Sequence, residues 1–236
     1  ALSEQYELRK QLIPISFDME TAGVSIKPRV LDSEIKRYLQ AAQEMEEECF
    51  KIVDKLVDED FNIRSSVQLQ KVLYGDPEGD TALKRKGLGC KVIEETKTGY
   101  STSAATLRTL HDEYTKPRSK AYRFLTNLLQ CRKATTCANY LTSYQNLALK
   151  QGKRTVLHPS FNQTGTRTTR WSSSNPNGQN IGSGGKDGLG QDTDDYRLRS
   201  VFGPSQGRVW FCADYSQLEL RILAVLAQEE KMLETF

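Results

Sequence analysis

No Asp or Glu occurs between Thr115 and Lys186, and this absence is the strongest compositional feature of the chain. The same 72 residues hold twelve basic side chains: Lys116, Arg118, Lys120, Arg123, Arg132, Lys133, Lys150, Lys153, Arg154, Arg167, Arg170 and Lys186. The remainder carries 21 basic and 30 acidic residues, a net of −9 that the overall charge of +3 conceals. A solvated face normally mixes both signs, so a long acid-free basic tract points to a polyanion such as nucleic acid. Other absences exclude other classes. No apolar run reaches membrane length and no segment reads as a signal peptide, so no membrane partner is expected. The five cysteines (Cys49, Cys90, Cys131, Cys137, Cys212) include no C-x-x-C pair, and no His lies near them to complete a zinc site. They read as reduced thiols of an intracellular protein, with Cys212 as a small buried residue. The glycines of 182–195 are not followed by Gly-Lys-Ser/Thr, which excludes a P-loop. That segment reads as a flexible surface loop, and Asp192, Asp194 and Asp195 as solvated rather than metal-bound.

What is present is mostly helical pattern. Residues 3–13 read as a short helix. Residues 32–58 form a long one, with Ile35, Leu39, Ala42, Met45, Cys49, Ile52, Val53 and Leu56 in one apolar stripe and Asp32 or Ser33 as its cap. A second long helix fits 119–148, with Leu125, Leu128, Leu129, Tyr140, Leu141, Tyr144 and Leu147 near one face. Two such helices pack as an antiparallel pair. Between them, 60–117 is a polar tip with a helix start after Asn62 and Ser65 and another at Ser101-Thr102-Ser103. Backbone N–H groups at such starts can hold phosphates, or can simply be capped.

Near the C-terminal end an apolar run, Val209 to Ala213, stops at a lone carboxylate, Asp214. A helical spacing then begins with Leu218, Ile222 and Val225. This predicts a buried strand with an Asp at its tip. A carboxylate there can hold a divalent metal beside a phosphate, or can cap the helix. Spacing alone leaves both open.

The words narrow the choice. Asp214-Tyr215-Ser216-Gln217-Leu218-Glu219-Leu220-Arg221 resembles motif A of the family A DNA polymerases, with one conservative swap in eight contiguous residues. Upstream, HPSFNQTGTRTTRWSSSNPNGQNI (158–181) resembles the family's segment T-G-R-L-S-S-x-x-P-N-L-Q-N-I-P. FNIRSSVQLQKVL (61–73) and TGYSTSAATL (98–107) resemble the tip of its thumb, and ETAGVSIKPRVL (20–31) the thumb's first segment. The family's Gly before its Arg is Thr169 here, its Leu is Trp171 or Gly178, and its final Pro is Gly182. A Thr cannot take a Gly-only backbone conformation cheaply, so the local turn is expected to differ.

The resemblance implies an α+β fold: a mainly helical thumb over 1–155, tip about 60–117, followed by the N-terminal part of a palm over 156–236. It implies template-directed DNA synthesis with two Mg²⁺ ions. Asp214 bridges the metals and the Tyr215 carbonyl adds a ligand. Glu219 is the steric gate against ribonucleotides, and Tyr215, Ser216 and Gln217 line the nucleotide site. Arg170, Asn177, Gln179 and Asn180 follow the minor groove, while Asn62, Ser65, Arg132 and Lys133 are candidate DNA contacts. Primer–template DNA and deoxynucleoside triphosphates are the expected partners, in the cytoplasm of a bacterial or phage-infected cell. The fingers and the second carboxylate of motif C have no place before Phe236. They are expected from a second polypeptide, or are missing from a fragment. A non-catalytic duplex-binding module is the alternative. Two lookalikes remain: His111-Asp112-Glu113 spells motif C but lacks apolar strand flanks, and Asp18-x-Glu20 spells an exonuclease opening but reads as a solvated pair.

Overall fold

The structure is a computed structural model that describes residues 2–58, 61–97, 99–179, 181, 185–186, 192–193 and 198–236. Asn180, Thr98, Gly182, Asp194 and Asp195 lie outside the described residues. The chain divides into two compact units, Ala1–Gly203 and Pro204–Phe236.

The first unit opens with α1 (Leu2–Ala22), longer than the expected 3–13 and containing Pro14. Pro14 reads as a stop because it removes an interior N–H, but the helix continues past it for two further turns. It ends at Gly23, whose φ of +61° suits glycine and where an added Cβ would sit 2.5 Å from the Val156 side chain. The strand β1 (Val24–Ile26) follows, then α2 (Pro28–Val53). Here the expected cap is corrected. The helix starts at Pro28, in the first-turn position that needs no N–H, and Lys27 precedes it without a side-chain cap. Asp32 instead accepts a hydrogen bond from Gln145 at 2.7 Å. The buried stripe runs Leu31, Ile35, Tyr38, Ala42, Cys49 and Val53; Leu39 faces solvent, with Tyr38 taking the inward position.

The tip contains α3 (Ser66–Tyr74), α4 (Ala82–Lys86), the hairpin β2 (Glu95–Thr96) and β3 (Gly99–Tyr100), and α5 (Ala104–Thr109), which runs into a π-turn at Leu110–Tyr114. Next come α6 (Lys120–Leu147), β4 (Leu149–Gln151), β5 (Arg154–Leu157), β6 (Ser160–Asn162) and β7 (Ser172–Ser174). Ser119, where the expected helix opens, caps α6 by accepting from the Tyr122 N–H at 3.1 Å.

Helices α2 and α6 form the antiparallel pair. Ile35, Tyr38 and Ala42 of α2 share a core with Ala138, Leu141 and Tyr144 of α6. At the other end Cys49 and Val53 meet Phe124, Leu125 and Leu128, together with Leu69, Leu73, Leu107 and Leu110 of the tip. Tyr140 and Leu147 are exposed and lie off this face. A three-stranded antiparallel sheet, ordered β1-β5-β4, closes the base of the pair. The short pair β8 (Gly185–Lys186) and β9 (Asp192–Thr193) follows β7. A 3-10 turn at Leu198–Val201 then docks on β1, with Lys27 N–H donating to the Val201 carbonyl at 2.8 Å.

The second unit holds α7 (Leu218–Ala227) and α8 (Glu230–Thr235). The strand expected over 209–213 is not formed. Among the described residues no strand pairs with it, and without a ladder its N–H and C=O groups remain outside any sheet. Val209 and Phe211 are 90% and 93% exposed, and Cys212 is exposed rather than buried.

Candidate functional site

In the second unit, Asp214 lies in the non-helical segment before α7 and is exposed. It does not cap the helix. Gln217 holds the cap position in the left-handed region, φ +52° and ψ +38°, without a side-chain cap bond. Ser216 and Gln217 make the turn, and Glu219 falls on the second residue of α7, also exposed. Arg221 donates from Nε to the Ser216 carbonyl at 2.9 Å, which ties the first helical turn to the Asp214 segment. Asp214, Tyr215, Ser216, Gln217 and Glu219 are therefore brought together by one turn and one helix start, and Tyr215 is 78% exposed. The oxygens available are one carboxylate and one neighbouring carbonyl, hard donors that suit Mg²⁺. Among the described residues no group of three His, Cys, Asp or Glu side chains is placed to hold a metal. The donor types fit the ion, and the donor number supplies a share of its shell.

In the first unit the β6–β7 hairpin presents the loop 163–171, with Phe161 opposite Ser173 in the ladder. Arg170 is exposed at its β7 end, two residues before that strand. Thr169 has φ +61°, so the Thr occupies the left-handed conformation that a Gly takes without strain. The Thr is accommodated in that conformation at a cost. The turn is kept by its own bonds: Thr166 Oγ1 donates to the Arg170 carbonyl at 2.6 Å and the Thr169 N–H to the Thr166 carbonyl at 3.3 Å. A β-branched residue there costs about 1–2 kcal/mol. Replacing Thr169 with Gly is expected to raise stability by about 1 kcal/mol, the gain being reduced by glycine's greater freedom in the unfolded chain. Urea unfolding with an unchanged slope would read this, and a lower midpoint would contradict it.

Asn177 spends its side-chain oxygen inside the loop, accepting from Ser173 Oγ at 3.2 Å and from the Gln179 N–H at 3.0 Å. Gln179 donates from its amide to the Trp171 carbonyl at 3.0 Å. Both amides hold the loop's shape as well as lying at its surface. Trp171 is half-buried, with its ring tilted against Phe161 at 6.3 Å between centroids.

At the tip, Asn62 accepts from the Arg64 N–H at 2.9 Å and Ser65 caps α3 by accepting from the Gln68 N–H at 3.4 Å. Arg132 is half-buried and donates to the Thr102 carbonyl at 2.8 Å, so much of its guanidinium links α6 to the tip. Burial holds its pKa below the usual arginine value. Lys133, next to it, is half-buried.

The lookalikes resolve by geometry. His111 is buried on the π-turn, stacked on Tyr122 at 4.1 Å, with its ring nitrogens 2.6 Å from Asp112 Oδ1 and 2.9 Å from Thr126 Oγ1. It is a satisfied core histidine on a helical turn. Asp18 is exposed, but Glu20 is not the solvated residue expected: it is half-buried and accepts from the Phe161 N–H at 2.5 Å. Sequence reasoning missed this contact because Glu20 and Phe161 lie 141 positions apart.

Comparison with known proteins follows the same order of segments. A family model for DNA polymerase family A matches residues 29–236. The DNA polymerase I of Caldicellulosiruptor bescii is 34% identical over 233 residues, 97% of this chain and 23% of that protein. The thermostable DNA polymerase I of Thermus thermophilus is 35% identical over 233 residues, 98% of this chain and 24% of its own. The chain thus spans under a quarter of the length of these relatives. Among solved structures, the polymerase domain of Pol1 from M. smegmatis, in complex with DNA primer–template and dNTP, superposes with a TM-score of 0.70. It is 28% identical, and the match covers 93% of this chain and 33% of that one. From residue 29 to residue 236, helix pair, tip, hairpin and Asp214 turn alike, the chain belongs to DNA polymerase family A.

Proposed function

We propose that this chain is the thumb and the N-terminal part of the palm of a DNA polymerase, working in template-directed DNA synthesis. The observation that carries the reading is the motif Asp214–Arg221, with its carboxylate exposed immediately before a helix that begins at Leu218. A division at 155/156 rests on the resemblance alone, since β5 spans it. The bound primer–template and dNTP of the M. smegmatis neighbour support the same partners here. The fingers and second carboxylate lie outside these 236 residues. The relatives' greater length favours one longer polypeptide over a second subunit.

In this reading Asp214 and the Tyr215 carbonyl would hold Mg²⁺. The ion's chemistry is neutralisation of charge on the attacking and leaving oxygens. The chain's own residues bind and orient. Arg221 fixes the Ser216 carbonyl and so the direction of the Asp214 segment. Glu219, at the start of α7, crowds the sugar's 2′ position and selects deoxynucleotides. Arg170 and the amide groups of Asn177 and Gln179 follow the minor groove. Every base pair offers acceptors there, so pairing is checked without reading sequence.

The direct test is fluorescence anisotropy with a primed template and with a single strand of equal length. The duplex is expected to bind about tenfold more tightly. Equal affinity would remove the groove-following role from the 164–181 segment.

A further inference from the structure

Strand β6 has β7 on one side only, and its other edge faces α1. In an antiparallel ladder alternate residues turn their N–H and C=O outward, and here Phe161 and Gln163 are those residues. Two of these outward groups, the Phe161 N–H and the Gln163 carbonyl, are taken by α1. Glu20 Oε1 accepts from the Phe161 N–H at 2.5 Å, and Arg9 Nη1 donates to the Gln163 carbonyl. Two residues before β6 the chain is held again: His158 Nδ1–H donates to the Glu20 backbone carbonyl at 2.7 Å. An open cavity of about 560 Å³, lined by Tyr6, Ile13 and Phe161 among others, lies between helix and hairpin. Contact there is therefore made by these polar links more than by close packing. Gln163 opens the loop that carries Arg170.

We infer that Glu20 and Arg9 are positioning residues that aim the Arg170 loop at duplex DNA, by capping the open edge of β6 from α1. This rests on the reading of Arg170 as a duplex contact. A carboxylate accepting a backbone N–H makes a strong bond, and a side chain on a long helix is a rigid anchor. Without it the Phe161 N–H loses its partner and the hairpin gains freedom, so duplex binding carries an added ordering cost.

The experiment uses the 236-residue chain and a labelled primer–template in anisotropy at several salt concentrations. Arg170→Ala is expected to weaken binding about tenfold and to lower the salt slope by about one. Glu20→Ala is expected to weaken it about fivefold with the same change in slope, and Glu20→Gln, which retains an acceptor oxygen, to bind within about twofold of the parent. The Glu20→Ala/Arg170→Ala pair is expected to bind no worse than Arg170→Ala alone, because both remove one contact. A purely structural Glu20 would give additive losses. Additivity, or full binding by Glu20→Ala while Arg170→Ala is impaired, overturns the inference. Full binding by Arg170→Ala would instead overturn the underlying reading of the loop, and the inference with it. If Glu20→Ala does not fold, Arg9→Ala carries the same cycle, with the same coupling expected.

Discussion

Asp214→Ala is expected to lower nucleotide incorporation by about a thousandfold or more in the polymerase that contains this segment, because on the proposed reading the variant loses a carboxylate that would hold Mg²⁺, and with it several kcal/mol of charge stabilisation. The same variant should keep its fold and its grip on duplex. Asp214 is exposed, does not cap α7, and lies in a segment outside any sheet. Surface changes of that kind usually alter stability by about 0.5 kcal/mol or less. Three readings on one variant therefore separate the hypotheses: single-turnover incorporation, primer–template affinity and thermal midpoint. Loss of the first alone supports the metal role. Equal loss of affinity and midpoint would make Asp214 a structural residue. Retained incorporation would require the essential carboxylate to be another one.

Duplex binding by this chain is expected to collapse as salt rises. Among the described side chains of the acid-free tract, nine cations are exposed: Lys116, Arg118, Lys120, Arg123, Lys150, Lys153, Arg154, Arg167 and Arg170. Arg132 and Lys133 are half-buried, and Arg132 is engaged with the Thr102 carbonyl, so fewer cations are exposed than the composition suggests. If about half of the exposed nine meet phosphates, the log–log slope is about −4, or roughly 300-fold weaker binding from 50 to 200 mM salt. Titrations at four salt concentrations would measure it. A slope near zero with binding intact would assign the interaction to apolar or hydrogen-bonding contacts and leave the basic tract without a role in it. Arg132→Ala serves as the contrast. It should cost stability through its link to the tip, and change the slope less than Arg170→Ala does.

The stability and binding experiments on Thr169 and Glu20 bear on one device, the hairpin that carries Arg170. Its tip is shaped from within by Thr166 and by the strained Thr169. Its outer edge is held from without by α1. Relieving strain in the first should stabilise the chain; loosening the second should weaken binding.

What the sequence by itself determined is local. The limits of α6, the helix starts at Ser65 and Ser103, and the helix beginning near Leu218 were all legible, because a helix and its cap are written in residues three or four places apart. The pairing of α2 with α6 was legible too, since two long apolar stripes joined by a tip have one economical way to bury each other. The family was legible because motif A is eight adjacent residues. Only the tertiary structure decided the rest. Proline at 14 did not end α1, because β1 and the hairpin give that helix partners beyond it. Tyr38 replaced Leu39 on the buried face once α2 began at Pro28. Glu20 looked solvated until Phe161 supplied an unpaired N–H from the far end of the unit. Val209–Ala213 looked like a strand, yet a strand exists only where another pairs with it, and pairing is a property of the folded chain rather than of five consecutive residues.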